Sequence, residues 1–277
     1  MAVHRTKRRR EGLGPRFLAV DFFCGAGGTS RGLIAAGGYV IAGIDKDGRC
    51  ERTYSANNRN ESLDYAATRF LNFDIFPRSR DYPDGEQREL VEKLSGLISY
   101  YRGKAKRVPL LFAICDPCQP FTKLSRKELT EKRRAGRDRD ANLLSEACKF
   151  VKTFQPEVVL SENVSGIGDP KYGGVWEVFR RKLTRLGYAT GSKTICASRF
   201  GVPQFRKRSI LLAVRHDLVK PERFADIFGT ELLVPDADPD APIISVEEAI
   251  GHLPTIGAGE AHPFVPNHRT RTLARSI

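Results

Sequence analysis

A chain of 277 residues is long enough for one large core with a small appendage, so one main domain is expected. Hydrophobic residues make up 40% and fall in short runs, which leaves no stretch able to span a bilayer. The balance of 46 Lys and Arg against 33 Asp and Glu, formally +13, favours a polyanionic partner, most plainly nucleic acid.

The chain opens on "MAVHRTKRRREGLGP", a basic segment without the apolar core of a secretory signal. Residues 1–15 are read as a basic tail, and a soluble, cytoplasmic protein with no membrane association is expected. Strands are predicted over Arg16 to Phe23, Tyr39 to Asp45, Arg69 to Ile75, Val108 to Cys115, Glu157 to Asn163 and Ser209 to Arg215, most of them apolar throughout. Helical spacing of apolar residues predicts helices over Glu86 to Tyr101, Asn142 to Phe154 and Val175 to Leu186. In the last of these, Val175, Trp176, Phe179, Leu183 and Leu186 form one stripe, read as core packing. This alternation predicts βαβ units around a mainly parallel sheet spanning 16–215. From 216 to 277 the chain turns rich in Pro, Gly and Asp, as in "VPDADPDAP" (Val234 to Pro242), and reads as a connector with one short helix over Ser245 to Leu253.

Three local patterns bear on chemistry. In "DFFCGAGGTSRG" (Asp21 to Gly32) glycines follow the first strand and precede a helical segment, so the backbone can turn sharply beside an anionic group of a cofactor. Asp45, ending the second strand, suits ribose hydroxyls, and Asp74, ending the third, is placed to face an adenine; a solvated strand end is the plainer reading of each. Cys115 and Cys118 form a C-x-x-C without a second ligand pair, which disfavours zinc, and no metal site is expected. The pair closes a strand instead of opening a helix, which disfavours a thioredoxin-like couple. Cys115 suits a buried position, whereas Cys118, between Pro117 and Gln119 at a strand exit, suits a nucleophile. The six cysteines are scattered and expected to be reduced thiols.

From about Phe17 to Arg215 the sequence resembles the cytosine-C5 DNA methyltransferases. "DFFCGAGG" resembles their first cofactor motif, "PCQPF" (Pro117 to Phe121) the nucleophile motif, "ENV" (Glu162 to Val164) the catalytic-glutamate motif and "GVPQFRKR" (Gly201 to Arg208) the Gln-x-Arg-x-Arg motif. The resemblance implies an α/β fold: a Rossmann-like, mainly parallel sheet of the S-adenosylmethionine-dependent methyltransferase type with an antiparallel edge strand. It implies S-adenosyl-L-methionine as cofactor, contacted by Phe22, Gly25, Ala26, Gly27, Asp45, Asp74, Ile75 and Pro117, with Leu143 and Leu144 as packing candidates. It implies double-stranded DNA as substrate, in the manner of restriction-modification methylases.

Cytosine C5 is a weak nucleophile, so the Cys118 thiolate would add to C6 and push electron density onto C5. By the same resemblance Glu162, its pKa raised by burial, acts at the N3 edge, Asn163 holds the geometry, and Arg206 and Arg208 supply donors. A base inside a stacked duplex is out of reach, so it must be extruded. The basic segment Lys123 to Arg139 is the candidate closing loop, with Gln119, Ser125, Arg126 and Gln204 as DNA contacts.

Two departures from the family pattern stand out. Asp116 occupies a position where the family has a neutral residue, and a carboxylate there opposes thiolate formation unless it points away or is paired with Arg; Asp116→Ala is therefore expected to retain or raise activity. Beyond Arg215, "HRTRTL" (His268 to Leu273) resembles a connector that precedes target recognition, and no recognition region or final cofactor motif follows it. Three readings stay open: the catalytic half of a split enzyme whose second polypeptide carries recognition, a truncated inactive fragment, or a non-catalytic DNA-binding module. The catalytic motifs alone do not separate DNA from tRNA as substrate.

Overall fold

A computed structural model describes residues 14–64, 66–117, 142–167, 174–218, 240–266 and 268–270. These fall into two compact units: one from residues up to Thr194 with the segment from Arg208, the other from Ile195–Lys207 with the segment from residue 236 onward. The stretch Ile195–Lys207, expected within the main domain, thus groups with the C-terminal segment.

The first unit begins with β1 (Phe17–Phe22), α1 (Gly28–Ala35) and β2 (Gly38–Asp45). A short helix, α2 (Glu51–Asn57), leads to β3 (Arg69–Asn72), and α3 (Gln87–Lys104) to β4 (Leu110–Ile114). Then follow α4 (Leu143–Phe154), β5 (Val158–Val164), α5 (Val175–Arg185), β6 (Tyr188–Cys196) and β7 (Lys207–Arg215). The seven strands form one sheet in the order β3-β2-β1-β4-β5-β7-β6. Pairings from β3 through β5 are parallel, and β7 runs antiparallel to β5. This is the expected fold class. The antiparallel strand is penultimate, because β6, which carries no long apolar run, occupies the margin.

Helices cover the sheet through their apolar stripes. On α3, Leu90, Leu94, Ile98 and Tyr101 recur at helical spacing and are buried; on α5, Trp176, Phe179 and Leu183 are buried as the stripe predicts. Phe22 is fully enclosed, its ring 5.1 Å from that of Phe112 and 5.3 Å from that of Phe150. Burying one such ring stabilises the fold by about 1.5–3 kcal/mol. Below the sheet, Glu157 ties three elements together: it accepts from Leu110 N at 2.7 Å and pairs with Arg102 at 2.9 Å and Arg215 at 3.7 Å.

Beneath the glycine-rich turn lies a buried polar chain. Ser30 Oγ donates to Asp21 Oδ2 at 2.7 Å and lies 2.9 Å from Tyr54 Oη. Asp21 is fully buried, and among the described residues its Oδ1 has no hydrogen-bond partner. Burial pushes its carboxyl up to about 7 against the Ser30 hydrogen bond, which pulls it down. At Gly27, with φ of 90°, an added Cβ would overlap the Asn58 amide and the Tyr54 ring, so only glycine fits.

The second unit contains a turn of 3-10 helix, Ala197–Phe200, ended by Gly201 at φ 77°. It also contains α6 (Val246–Ile250), whose Ser245 and Glu248 form a reciprocal capping box where a helix is predicted. Further on, Ala261 and Arg269 form an isolated bridge and His268 Nε2 lies 2.6 Å from Pro254 O. Among the described residues no helix is long and apolar enough to cross a membrane.

Candidate active site

In an open parallel sheet the carboxyl ends of the strands, where the strand order reverses, form a natural ligand crevice. In this unit that edge holds a cleft. Its wall comes from four strand exits: Phe23 after β1; Ile44, Asp45 and Lys46 at β2; Phe73, Asp74 and Ile75 after β3; and Cys115 and Pro117 after β4. Leu143, opening α4, completes it.

The two carboxylates are held by backbone. Asp45 accepts from Gly25 N through Oδ2 and from Asp47 N through Oδ1, both at 2.9 Å, so this acid also fixes the glycine-rich turn. Asp74 accepts from Phe76 N at 3.1 Å, while its own N–H donates to Glu86 Oε2 at 3.1 Å and its carbonyl accepts from Glu86 N at 3.0 Å. Gln87 Nε2 donates to Ile75 O at 2.8 Å and to Glu146 Oε2 at 3.0 Å. The acids are thus rigid acceptors at the ends of adjacent strands.

The aromatic residue that the end of β1 contributes to the cleft wall is one position on from Phe22. Phe22 sits in the core, and the aromatic wall of the cleft is Phe23, whose φ of 60° places a non-glycine residue in the left-handed region at the turn out of β1. Asp45, Asp74, Ile75 and Pro117 line the cleft, whereas Gly25, Ala26 and Gly27 lie outside its wall and Gly25 meets it through Asp45. Ile44, Lys46, Phe73 and Cys115 are additions that no sequence signal marks beyond adjacency to a strand end.

On β5, alternation sends consecutive residues to opposite faces. Glu162 and Arg208 share one face: Glu162 stands opposite Ile210 and Arg208 opposite Val164, making them diagonal neighbours, and Arg208 Nε lies 2.7 Å from Glu162 Oε1. Glu162 keeps 36% of its side chain exposed against 18% for Arg208, so the carboxyl expected to be buried is instead half-open and oriented by a guanidinium.

On the other face, Ser161 Oγ donates to Ile114 O at 2.6 Å, and Asn163 Nδ2 donates to Asp116 Oδ1 at 2.8 Å and reaches Asp116 O at 3.3 Å. Asp116 is therefore buried, and its carboxylate accepts from the Asn163 amide. Two residues of β5 thus fasten the exit of β4, the segment that runs into Cys118.

Cys118, Gln119, Ser125 and Arg126, with the whole Lys123 to Arg139 segment, lie outside the described residues, as does Arg5 to Arg10 in the N-terminal tail. Gln204 and Arg206 are exposed and belong to the second unit. Burial pushes the Cys115 thiol up to about 12, and Thr29 Oγ1 lies 3.8 Å from its sulfur. Among the described residues no three His, Cys, Asp or Glu side chains converge on a metal position.

A strand-end cleft with two fixed carboxylates, on a parallel sheet whose penultimate strand runs antiparallel, is the architecture of a methyltransferase-type α/β domain. The sequence profile of the C-5 cytosine-specific DNA methylases matches residues 103–254, more than half of the chain, and the chain belongs to that family. It is 27% identical over 201 residues to the Type II methylase M.HgiDII of Herpetosiphon aurantiacus, covering 73% of this chain and 48% of the relative. With the Type II methyltransferase M.DdeI of Desulfomicrobium norvegicum it shares 27% identity over 259 residues, covering 90% and 52%. The chain thus spans about half the length of these curated relatives. A crystal structure described as a DNA modification methyltransferase encoded within an E. coli prophage superposes with a TM-score of 0.56 at 21% identity, covering 88% of this chain and 57% of that one.

Proposed function

We propose that this chain is the catalytic portion of a DNA (cytosine-5-)-methyltransferase, using S-adenosyl-L-methionine and double-stranded DNA. Residues 16–215 supply the chemistry, and 216–277 lead toward target recognition. The reading rests on one observation above others: Glu162 is held by Arg208 on one face of β5, while Asn163 on the other face holds the loop that leads into Cys118.

The cleft residues fit the cofactor. Asp45 would offer acceptors to ribose hydroxyls, Asp74 would accept from an adenine, and Phe23, Phe73, Ile75 and Leu143 would give apolar walls. S-adenosylmethionine supplies an electrophilic methyl group. The chain's own residues do the rest. Cys118, as thiolate, forms a bond to C6 of an extruded cytosine and shifts an electron pair toward C5. Glu162, aimed by Arg208, exchanges a proton at N3 as charge builds on the ring. Loss of the C5 proton and expulsion of the Cys118 sulfur restore the aromatic base.

The test is transfer of labelled methyl to mixed-sequence DNA by this chain alone and by the chain with the polypeptide encoded beside it, with Cys118→Ser as control. Label on DNA that requires Cys118 is the expected result. A folded chain that labels neither DNA nor tRNA in any mixture would overturn the enzymatic reading, and label on tRNA alone would replace the substrate.

The Asp116 geometry reverses the expectation that this carboxylate is dispensable. Asp116→Ala removes the side-chain acceptor of a buried amide, which costs about 1–3 kcal/mol of folding stability, and by loosening the exit of β4 it is expected to lower methyl transfer. Asp116→Asn keeps an acceptor and should restore most of the rate. Equal rates for the alanine variant and the parent chain would show that the Asn163 contact does not set the geometry of the Cys118 loop.

A further inference from the structure

The second unit carries a feature that the reaction does not use. In the loop from Ala197 to Arg206, Phe205 is 85% exposed, and Phe200 and Val202 are 46% and 43% exposed. An isolated surface Phe is unremarkable. This one stands on a braced loop: Ala197 N donates to Arg206 O at 2.9 Å, Val202 N to Ala197 O at 3.3 Å, and Gln204 N to Val202 O at 2.7 Å. The ring is therefore presented by ordered backbone and not by a fraying tip.

Its surroundings are cationic. The sequence "ASRFGVPQFRK" from Ala197 to Lys207 holds Arg199, Arg206 and Lys207 and no carboxylate. Gln204, Arg206 and Lys207, which flank the ring, are all exposed. Phe200 and Val202 share the loop at half exposure, while the residues adjoining Phe205 in the chain are an amide and two cations. An exposed aromatic bracketed by guanidinium, ammonium and amide groups matches the chemistry of an unstacked nucleobase with its phosphates: the ring covers the base face, and the cations neutralise the backbone. The chain's formal charge of +13 agrees with a polyanionic occupant.

We propose that Phe205 is a base-stacking contact, taking the face of a nucleobase displaced from the substrate helix, with Arg206 and Lys207 on the adjoining phosphates. The proposal rests on the methyltransferase reading for the origin of the displaced base, since base extrusion disrupts the local stack. It adds a contact to the nucleic acid that lies outside Cys118, Glu162 and the cofactor cleft.

The experiment measures binding of the full chain to a mixed-sequence single-stranded DNA and to an abasic strand of equal length, for the parent chain, Phe205→Ala and Phe205→Tyr. With 85% of the residue in solvent, neither substitution disturbs the fold. Phe205→Ala is expected to weaken binding to the base-bearing strand by about fivefold to a hundredfold, with Phe205→Tyr near the parent value and the abasic strand indifferent to both. The salt dependence of binding should be the same in all three, because no phosphate contact is removed. Equal losses on both strands, no loss, or no nucleic-acid binding by the parent chain would overturn the proposal. So would a change in oligomeric mass with Phe205→Ala while DNA binding stays constant, which would assign the ring to a protein interface. Base-dependent binding in a chain that transfers no methyl group would count against the enzymatic reading and leave the stacking contact standing.

Discussion

Glu162→Gln is expected to slow methyl transfer by about 10²–10⁴-fold, the range associated with loss of a positioned acid or base. Glutamine has nearly the shape of glutamate, so the β5 strand and its pairing with β7 survive. What is lost is the charge that Arg208 Nε meets at 2.7 Å and the ability to exchange a proton at the ring nitrogen of cytosine. The measurement is a single-turnover rate with labelled cofactor at saturating DNA, beside cofactor affinity measured separately. Cofactor affinity should not move, because Glu162 is absent from the wall of the strand-end cleft. A rate within a few-fold of the parent chain would remove Glu162 from the chemistry and leave it as a surface partner of Arg208.

Stability should respond to pH through Asp21, and in the direction opposite to most carboxylates. Its folded-state value, about 7, lies above the ordinary 3.8 because burial disfavours the charged form. Between these values the folded chain binds more protons than the unfolded one, so unfolding free energy falls as pH rises. The contribution is complete below about pH 4 and is lost by about pH 7, a swing of about 4 kcal/mol for this group. Asp21→Asn cannot ionise and should abolish that swing, whatever it does to absolute stability. Denaturant unfolding at pH 5 and pH 8, for both proteins, reads the difference between the two slopes. Parallel pH profiles would mean that Asp21 is as easily charged in the folded chain as in the unfolded one.

The fold was legible wherever strands were apolar runs and helices carried stripes. The strand ending at Asp45, the strand ending at Ile114 and the helix bearing Trp176 fall close to their predicted places because burial on both sides of the sheet demands those patterns. Two elements escaped. β6, "YATGSKTIC", mixes small and polar residues at the sheet margin, and α2, "ERTYSAN", buries only Tyr54. Neither needs an apolar pattern, so neither shows one.

At the site, ordered motifs pointed to the strand exits that line the cleft, but local sequence could not choose between Phe22 and Phe23. Only the register of β1 assigns one ring to the core and its neighbour to the cleft. The Asn163 to Asp116 hydrogen bond joins residues 47 apart and arises from parallel pairing of β4 with β5, which no spacing reveals. The open position of Glu162 was hidden for a related reason: a residue type names its chemistry, while exposure is set by neighbours from another strand.

The division of labour along β5 has a consequence for how such a sequence can change over time. Ser161 and Asn163 reach back to the β4 exit while Glu162 turns to Arg208, and the two sets are kept apart only by parity. A one-residue insertion or deletion between Val158 and Ser161 would exchange the two faces, aiming the carboxylate at the loop and the amide at the arginine. Side chains in this strand can drift one at a time, but its length is frozen, and the reading frame of the sheet is inherited as a unit.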